Sequence, residues 1–202
     1  MRRDQSSCLH GLTSRLFSQV EYLNTFFPNG GGHIFGAING ARWHLYTADL
    51  TPEDRVGIDR EQTLEIVMTE LDPEKMQQFY NGTCPQTRSF TISLPSTGPE
   101  ATKLSGIDKL IPGSTIDDFL FEPCGYSCNG IKDDAYFTIH ITPEPQCSYV
   151  SFETNVALES YGPLVQRVLD TFSPGRFTIS LFVDDASLVP NSYMALFSME
   201  YK

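Results

Sequence analysis

Two neighbouring segments of the chain, AYFTIHIT at residues 135–142 and CSYVSFET at residues 147–154, carry the tightest constraint on its fold. In an extended strand successive side chains point to opposite faces. Thr138, His140 and Thr142 therefore share one face, and Ile139 and Ile141 the other. Only PEPQ separates the two segments, a link that makes a hairpin and therefore an antiparallel pair. The same period of two runs through QTLEIVMTEL at 62–71, with Leu64, Ile66 and Met68 on one side and Thr63, Glu65 and Val67 on the other. Further strands are expected in HIFGAI and WHLYTAD, joined by the turn signal NGA, near 117–122, and in the closing pair RFTISLFVDD and SYMALFSMEY.

Helical spacing takes over between the strands. SRLFSQVEYLNTFF sets Leu16, Val20, Leu23 and Phe27 along one stripe and is stopped by PNGGG. DPEKMQQFY offers Asp72 as N-cap with Pro73 in the first helical position. SGIDKLIPGS reads as a short helix or turn and YGPLVQRVLDTF as a helix, whereas residues 81–103 are rich in Pro, Gly, Ser and Thr and read as a surface loop. The order is helix, three strands, helix, three strands, helix, two strands. The expectation is a single α+β domain over residues 1–202, antiparallel β-sheets with helices on the outer faces.

Charge narrows the function. Twenty-five acids against fourteen bases give a net charge of −11, which disfavours nucleic acid and anionic membrane as partners and draws cationic amines. No apolar run approaches the roughly 20 residues that span a bilayer. Five unevenly spaced cysteines suit reduced thiols in the cytosol. Cys124, Cys128, His140 and Cys147 are the right elements for zinc, but C-x3-C is wider than the usual C-x2-C knuckle and no second half follows, so no metal site is expected. Ser127 with His140 is either a nucleophile with its base, two groups handling one proton, or an ordinary pair of common residues. Glu65, Glu144 and Glu153 lie in or beside strands, where a carboxylate is either solvated or held for a cation.

Several separated blocks in the right order then add a more specific signal. LNTFFPNG, EQTLEIVMTELDP, GIDKLIPGSTIDDF, DFLFEPCGYSCNGI and YFTIHITPEPQCSYVSFETN resemble the eukaryotic S-adenosylmethionine decarboxylases, from about Phe17 to Tyr201, with residues 84–102 as a loop insertion. The resemblance implies a four-layer α/β/β/α sandwich and a pyruvoyl cofactor, made when the proenzyme cleaves itself at an internal serine. That ketone captures the substrate amine and acts as an electron sink while carbon dioxide leaves, giving the aminopropyl donor for spermidine and spermine. Carried over by position, Ser127 and His140 are the pair that assists self-cleavage. Phe121 stacks on adenine and Glu144 grips the ribose hydroxyls. Thr63, Glu65, Glu153 and Phe182, with Glu61 where the family has aspartate, form the site of the activator putrescine. A homodimer, or pairing with a full-length homologue, is also implied.

The sequence departs from the family at its start. The Glu-Ser-Ser cleavage segment and the strand bearing the catalytic cysteine have no counterpart, and DQSSCL at residues 4–9 lacks the glutamate and the strand that should follow. Ser6 and Ser7 are therefore not expected to form the pyruvoyl group. The chain is expected to represent the C-terminal part of the enzyme, inactive alone. The alternative is a non-catalytic regulatory or binding paralogue that pairs with an active decarboxylase.

Overall fold

The computed structural model describes residues 17–36, 42–48, 62–83 and 93–183. The chain divides into two compact units, Met1–Ile58 and Asp59–Lys202.

In the first unit a helix, α1, is described over 17–24, with Val20 and Leu23 of the expected stripe half-buried. It is followed by β1 (Gly30–Gly36) and β2 (Arg42–Ala48), paired antiparallel with Gly36 opposite Arg42. The Tyr46 hydroxyl of β2 donates to Oδ1 of Asn24, 2.8 Å away, and fastens the hairpin to the end of α1. Leu16 and the NGA turn lie outside the described residues.

The second unit is built on a six-stranded sheet. Its strands are β3 (Gln62–Leu71), β4 (Thr115–Leu120), β5 (Tyr126–Lys132), β6 (Ala135–Thr142), β7 (Tyr149–Thr154) and β8 (Pro174–Val183). Their spatial order is β4-β5-β6-β7-β3-β8, every pair antiparallel. Alternation decides which way each strand faces. Leu64, Ile66, Met68, Phe137, Ile139, Ile141, Val150 and Phe152 all point to one side and are buried. Helices α3 (Gly98–Ser105) and α4 (Gly162–Phe172) close over that side, α4 through Leu164, Val165, Val168 and Phe172 in the same core. At roughly 1.5–3 kcal/mol per buried large apolar side chain, this face holds the unit together and leaves the other face to polar and functional residues.

Three expectations need correction or refinement. The stretch read as loop over residues 81–103 contains helix α3. Thr97 caps its first turn by accepting from the Glu100 amide, while the Glu100 carboxylate reaches back to the Ser96 amide at 2.8 Å. That capping arrangement offsets a sequence poor in helical periodicity. The strand β5 was not expected, because its run YSCNGIK carries Gly, Asn and Ser, poor strand formers. Gly130 is nonetheless required there: a Cβ would lie 2.0 Å from the Phe137 ring on the neighbouring strand. β7 starts at Tyr149, so Cys147 and Ser148 belong to the preceding link. The short helix α2 (Pro73–Met76) has the expected cap, Asp72 accepting from the Glu74 amide at 2.8 Å, and a 3-10 turn (Gln77–Phe79) extends it. The last expected strand, SYMALFSMEY, lies outside the described residues.

Candidate functional site

The face of the six-stranded sheet turned away from α3 and α4 collects most of the residues singled out from the sequence. Register follows from the pairing. Ser127 lies opposite His140, and His140 opposite Ser151. One row further along, Asn129, Thr138, Glu153, Glu65 and Ser180 follow one another across five strands. Thr63 lies opposite Phe182 at the far side of the same face.

Ser127 and His140 are in direct contact, Oγ to Nδ1 at 2.9 Å. The other ring nitrogen, Nε2, is 3.4 Å from Oγ1 of Thr138. Either tautomer satisfies both contacts, since each hydroxyl can donate or accept. In the tautomer with the proton on Nε2, that N–H faces Thr138 and Nδ1 accepts from the Ser127 hydroxyl. The serine is thereby joined to a group able to take its proton. Ser127 is itself held between two core side chains of β5, Tyr126 and Cys128, both buried on the opposite face.

Below them lies a small buried polar network. The Thr102 hydroxyl donates to Oδ2 of Asp118 and lies 2.7 Å from the Tyr126 hydroxyl, tying α3 to β4 and β5. Burial, followed by the neighbouring Cys128 sulfur, pushes the Tyr126 phenol well above its ordinary range. Burial likewise pushes the Cys128 thiol up to about 11. Both groups are neutral at physiological pH and serve the strand rather than the chemistry.

Glu65 and Glu153 sit directly opposite each other on adjacent strands. Like charges in that position repel by a few tenths to about 1 kcal/mol. Among the described residues neither carboxylate pairs with a lysine or arginine. Each instead accepts from a neutral hydroxyl: Tyr136 to Oε1 of Glu153 at 2.6 Å, and Ser180 to Oε2 of Glu65 at 3.2 Å. Thr63 and Phe182 complete the neighbourhood, Phe182 exposed on the sheet face. Glu61 lies outside the described residues.

Phe121 and Glu144 stand at one end of the same sheet. Phe121 follows β4 and is 43% exposed, its ring edge-on to Phe119 at 4.8 Å between centroids. The turn that carries it is pinned by three backbone bonds: Phe121 N–H to Gly125 C=O, Gly125 N–H to Phe79 C=O and Asn81 N–H to Pro123 C=O. Gly125 takes a φ of +108°, outside the range ordinary residues adopt. Glu144 opens the link between β6 and β7, where its carbonyl accepts from the Cys147 amide at 3.0 Å. Its charge reaches Tyr80, whose phenol is pushed up first by burial and then by Cys124, Glu144 and Cys147. Glu144 and the Phe121 turn thus follow the ends of β6 and β4, which run in the same direction. Among the described residues no group of three or more His, Cys, Asp and Glu side chains is arranged to hold a metal ion. Nor is any described helix long and apolar enough to cross a membrane.

Tyr136 and Ser180 were missed in the sequence. The signal was present: Tyr136 precedes Thr138 by two residues, and Ser180 precedes Phe182 by two, so the period of two assigns both to the functional face.

Comparison with known proteins gives this geometry a context. A model of the adenosylmethionine decarboxylase family matches residues 9–201. The chain is 49% identical over 170 residues to the S-adenosylmethionine decarboxylase proenzyme of Xenopus laevis, a match covering 84% of this chain and 47% of that one. Against the Drosophila melanogaster proenzyme the identity is 45% over 181 residues, covering 84% and 49%. The chain therefore spans about half the length of the curated relatives it matches. Among solved structures, a crystal structure of the Trypanosoma brucei AdoMetDC-delta26 monomer matches with a TM-score of 0.59 at 28% identity, over 88% of this chain and 62% of that one.

Proposed function

Because the chain belongs to the adenosylmethionine decarboxylase family, we propose that its open sheet face is a wall of the site for pyruvoyl-dependent decarboxylation of S-adenosylmethionine, in the synthesis of spermidine and spermine. The observation that carries this reading is the contact between Ser127 Oγ and His140 Nδ1 at 2.9 Å on an exposed sheet face. A hydroxyl joined to an imidazole fits the self-cleavage that creates a pyruvoyl group. The Ser127 hydroxyl steadies the oxygen that gains charge as the backbone rearranges, and His140 Nδ1 takes the proton whose loss drives elimination. Once formed, the group supplies a ketone that accepts the electron pair released with carbon dioxide.

The rest of the face divides between two ligands. The exposed ring of Phe121 offers a planar apolar surface to adenine, and the Glu144 carboxylate, an acceptor at both oxygens, suits a ribose diol. Glu65 and Glu153, with Thr63, Phe182 and Glu61, form a site for putrescine as activator. Two opposed carboxylates without a cationic partner among the described residues support that assignment. A cytosolic location is supported by the free thiols of Cys124, Cys128 and Cys147. Self-association, or pairing with a full-length homologue, is supported by the edge strand β4, whose outer side pairs with no described strand.

The test joins the first half of the Xenopus laevis proenzyme ahead of this chain. The chimera is expected to split into two pieces on a denaturing gel and to release labelled carbon dioxide from carboxyl-labelled S-adenosylmethionine. His140→Ala should leave it uncut. Equal processing with Ser127→Ala and His140→Ala together would reject the roles given to the pair.

A further inference from the structure

We infer that Tyr136 is a positioning residue for the diamine site, its hydroxyl holding Glu153 so that one carboxylate oxygen is presented to an ammonium group, and that Ser180 does the same for Glu65. The inference rests on the diamine reading of Glu65 and Glu153 and specifies how those side chains are prepared for the ligand.

The four residues occupy four consecutive strands, β6, β7, β3 and β8. The two carboxylates lie in the middle and a hydroxyl lies on each flank. Ser180 is directly opposite Glu65. Tyr136 is displaced, because Thr138 is the residue opposite Glu153. The contact is therefore a diagonal one, about 7–8 Å between Cα atoms, a span that a phenol crosses and a serine does not. The root of the phenol is fixed. The Tyr136 amide donates to Oδ1 of Asn155 at 2.6 Å, and its carbonyl accepts from the Thr154 hydroxyl at 2.6 Å and from the Asn155 amide at 3.4 Å.

A neutral hydroxyl is suited to this task in a way that a lysine or arginine is not. It occupies one oxygen of the carboxylate and orients the side chain, yet leaves the negative charge uncancelled. Oε2 of Glu153 and Oε1 of Glu65 are then the oxygens left for an ammonium, which has three hydrogens to donate. Glutamate otherwise loses side-chain freedom on being fixed. Ordering it before the ligand arrives removes that cost from binding.

Calorimetric titration of putrescine into the full chain and its variants tests the inference. Tyr136→Phe keeps the ring and removes the hydroxyl, and it should weaken binding about tenfold, or ~1.4 kcal/mol. Ser180→Ala should weaken it roughly threefold, or ~0.65 kcal/mol. In wild type, adding putrescine should produce a tyrosine band in the near-ultraviolet difference spectrum, and Tyr136→Phe should lose that band. Wild-type affinity in Tyr136→Phe, alongside lost binding in Glu153→Gln, would overturn the inference and leave the diamine reading standing. Wild type that fails to bind putrescine, or Glu153→Gln that binds it normally, would overturn the diamine reading and the inference with it. Should Tyr136→Phe unfold, Asn155→Ala loosens the root of the phenol without removing it, and unchanged putrescine affinity there would count against the proposal.

Discussion

Replacing Thr102 by valine removes one hydroxyl and almost no volume, and its consequences can be worked out from the network beneath Ser127. Thr102 is 4% exposed and Tyr126 0%. Tyr126 loses a partner at 2.7 Å, and Asp118 loses a hydroxyl donor. A buried hydroxyl deprived of its partner costs about 1–3 kcal/mol, and a hydrogen bond to a charged group is worth about 1.5–3 kcal/mol. The weakly polar Cys128 sulfur recovers a little of the first term. The added methyl recovers at most about 0.8 kcal/mol of apolar burial. The net expectation is a loss of ~2–4 kcal/mol, a large share of the roughly 5–15 kcal/mol that stabilises a domain. Urea unfolding followed by far-ultraviolet circular dichroism measures it. The midpoint should fall at unchanged slope. Tyr126→Phe should then cost about 1 kcal/mol less in the Thr102→Val background than in wild type, since its partner is already gone. A Thr102→Val loss below about 0.5 kcal/mol, with no coupling to Tyr126→Phe, would refute the claim that this network anchors β5.

Two further outcomes follow from charges and thiols. Burial raises the Cys128 thiol from 9.0 to about 11, so the unfolded chain loses that proton first as pH rises. Stability should therefore fall between pH 9.0 and about 11, by ~2–3 kcal/mol from this group. Cys128→Ala should flatten that part of the profile. At pH 8 iodoacetamide should label exposed Cys147 and spare Cys128 until the chain unfolds; equal labelling rates would contradict the burial argument. Removing one of the opposed carboxylates should stabilise the free chain. Glu65→Gln is expected to gain ~0.5 kcal/mol at low salt, and the gain should vanish near 1 M salt. A loss of stability there would mean that the pair is not repulsive.

The sequence was legible where period and packing agree. β3, β6 and β7 each bury one alternating set, and α4 buries the stripe Leu164, Val165, Val168 and Phe172, so pattern and burial coincide. His140 was assigned to the polar face by alternation alone. Ser127 was named as its partner, but alternation could not supply the register that joins them, because that requires β5, whose inward side chains are Tyr126, Cys128 and a glycine chosen for the Phe137 ring. Helix α3 was hidden for a related reason. Its buried positions are Gly98, Ala101 and Thr102, too small to produce an apolar stripe. Its cap, Thr97 followed three residues later by Glu100, was the readable signal. The facing of Glu65 and Glu153 is a register property, fixed only when β3 and β7 are paired. The resemblance to a family anticipated these residues as a set, and the register explains why they can act together.

Titrating the isotope-labelled chain with S-adenosylmethionine, followed by nuclear magnetic resonance, asks directly whether the open sheet face is the ligand wall. Amide signals from Phe119, Phe121, Ser127, His140 and Glu144 should move together and saturably. Those of Leu164, Val165 and Val168, in the helix that covers the opposite face, should stay in place. Shifts concentrated in α4, or no shifts at millimolar ligand, would contradict the assignment of this face to the substrate.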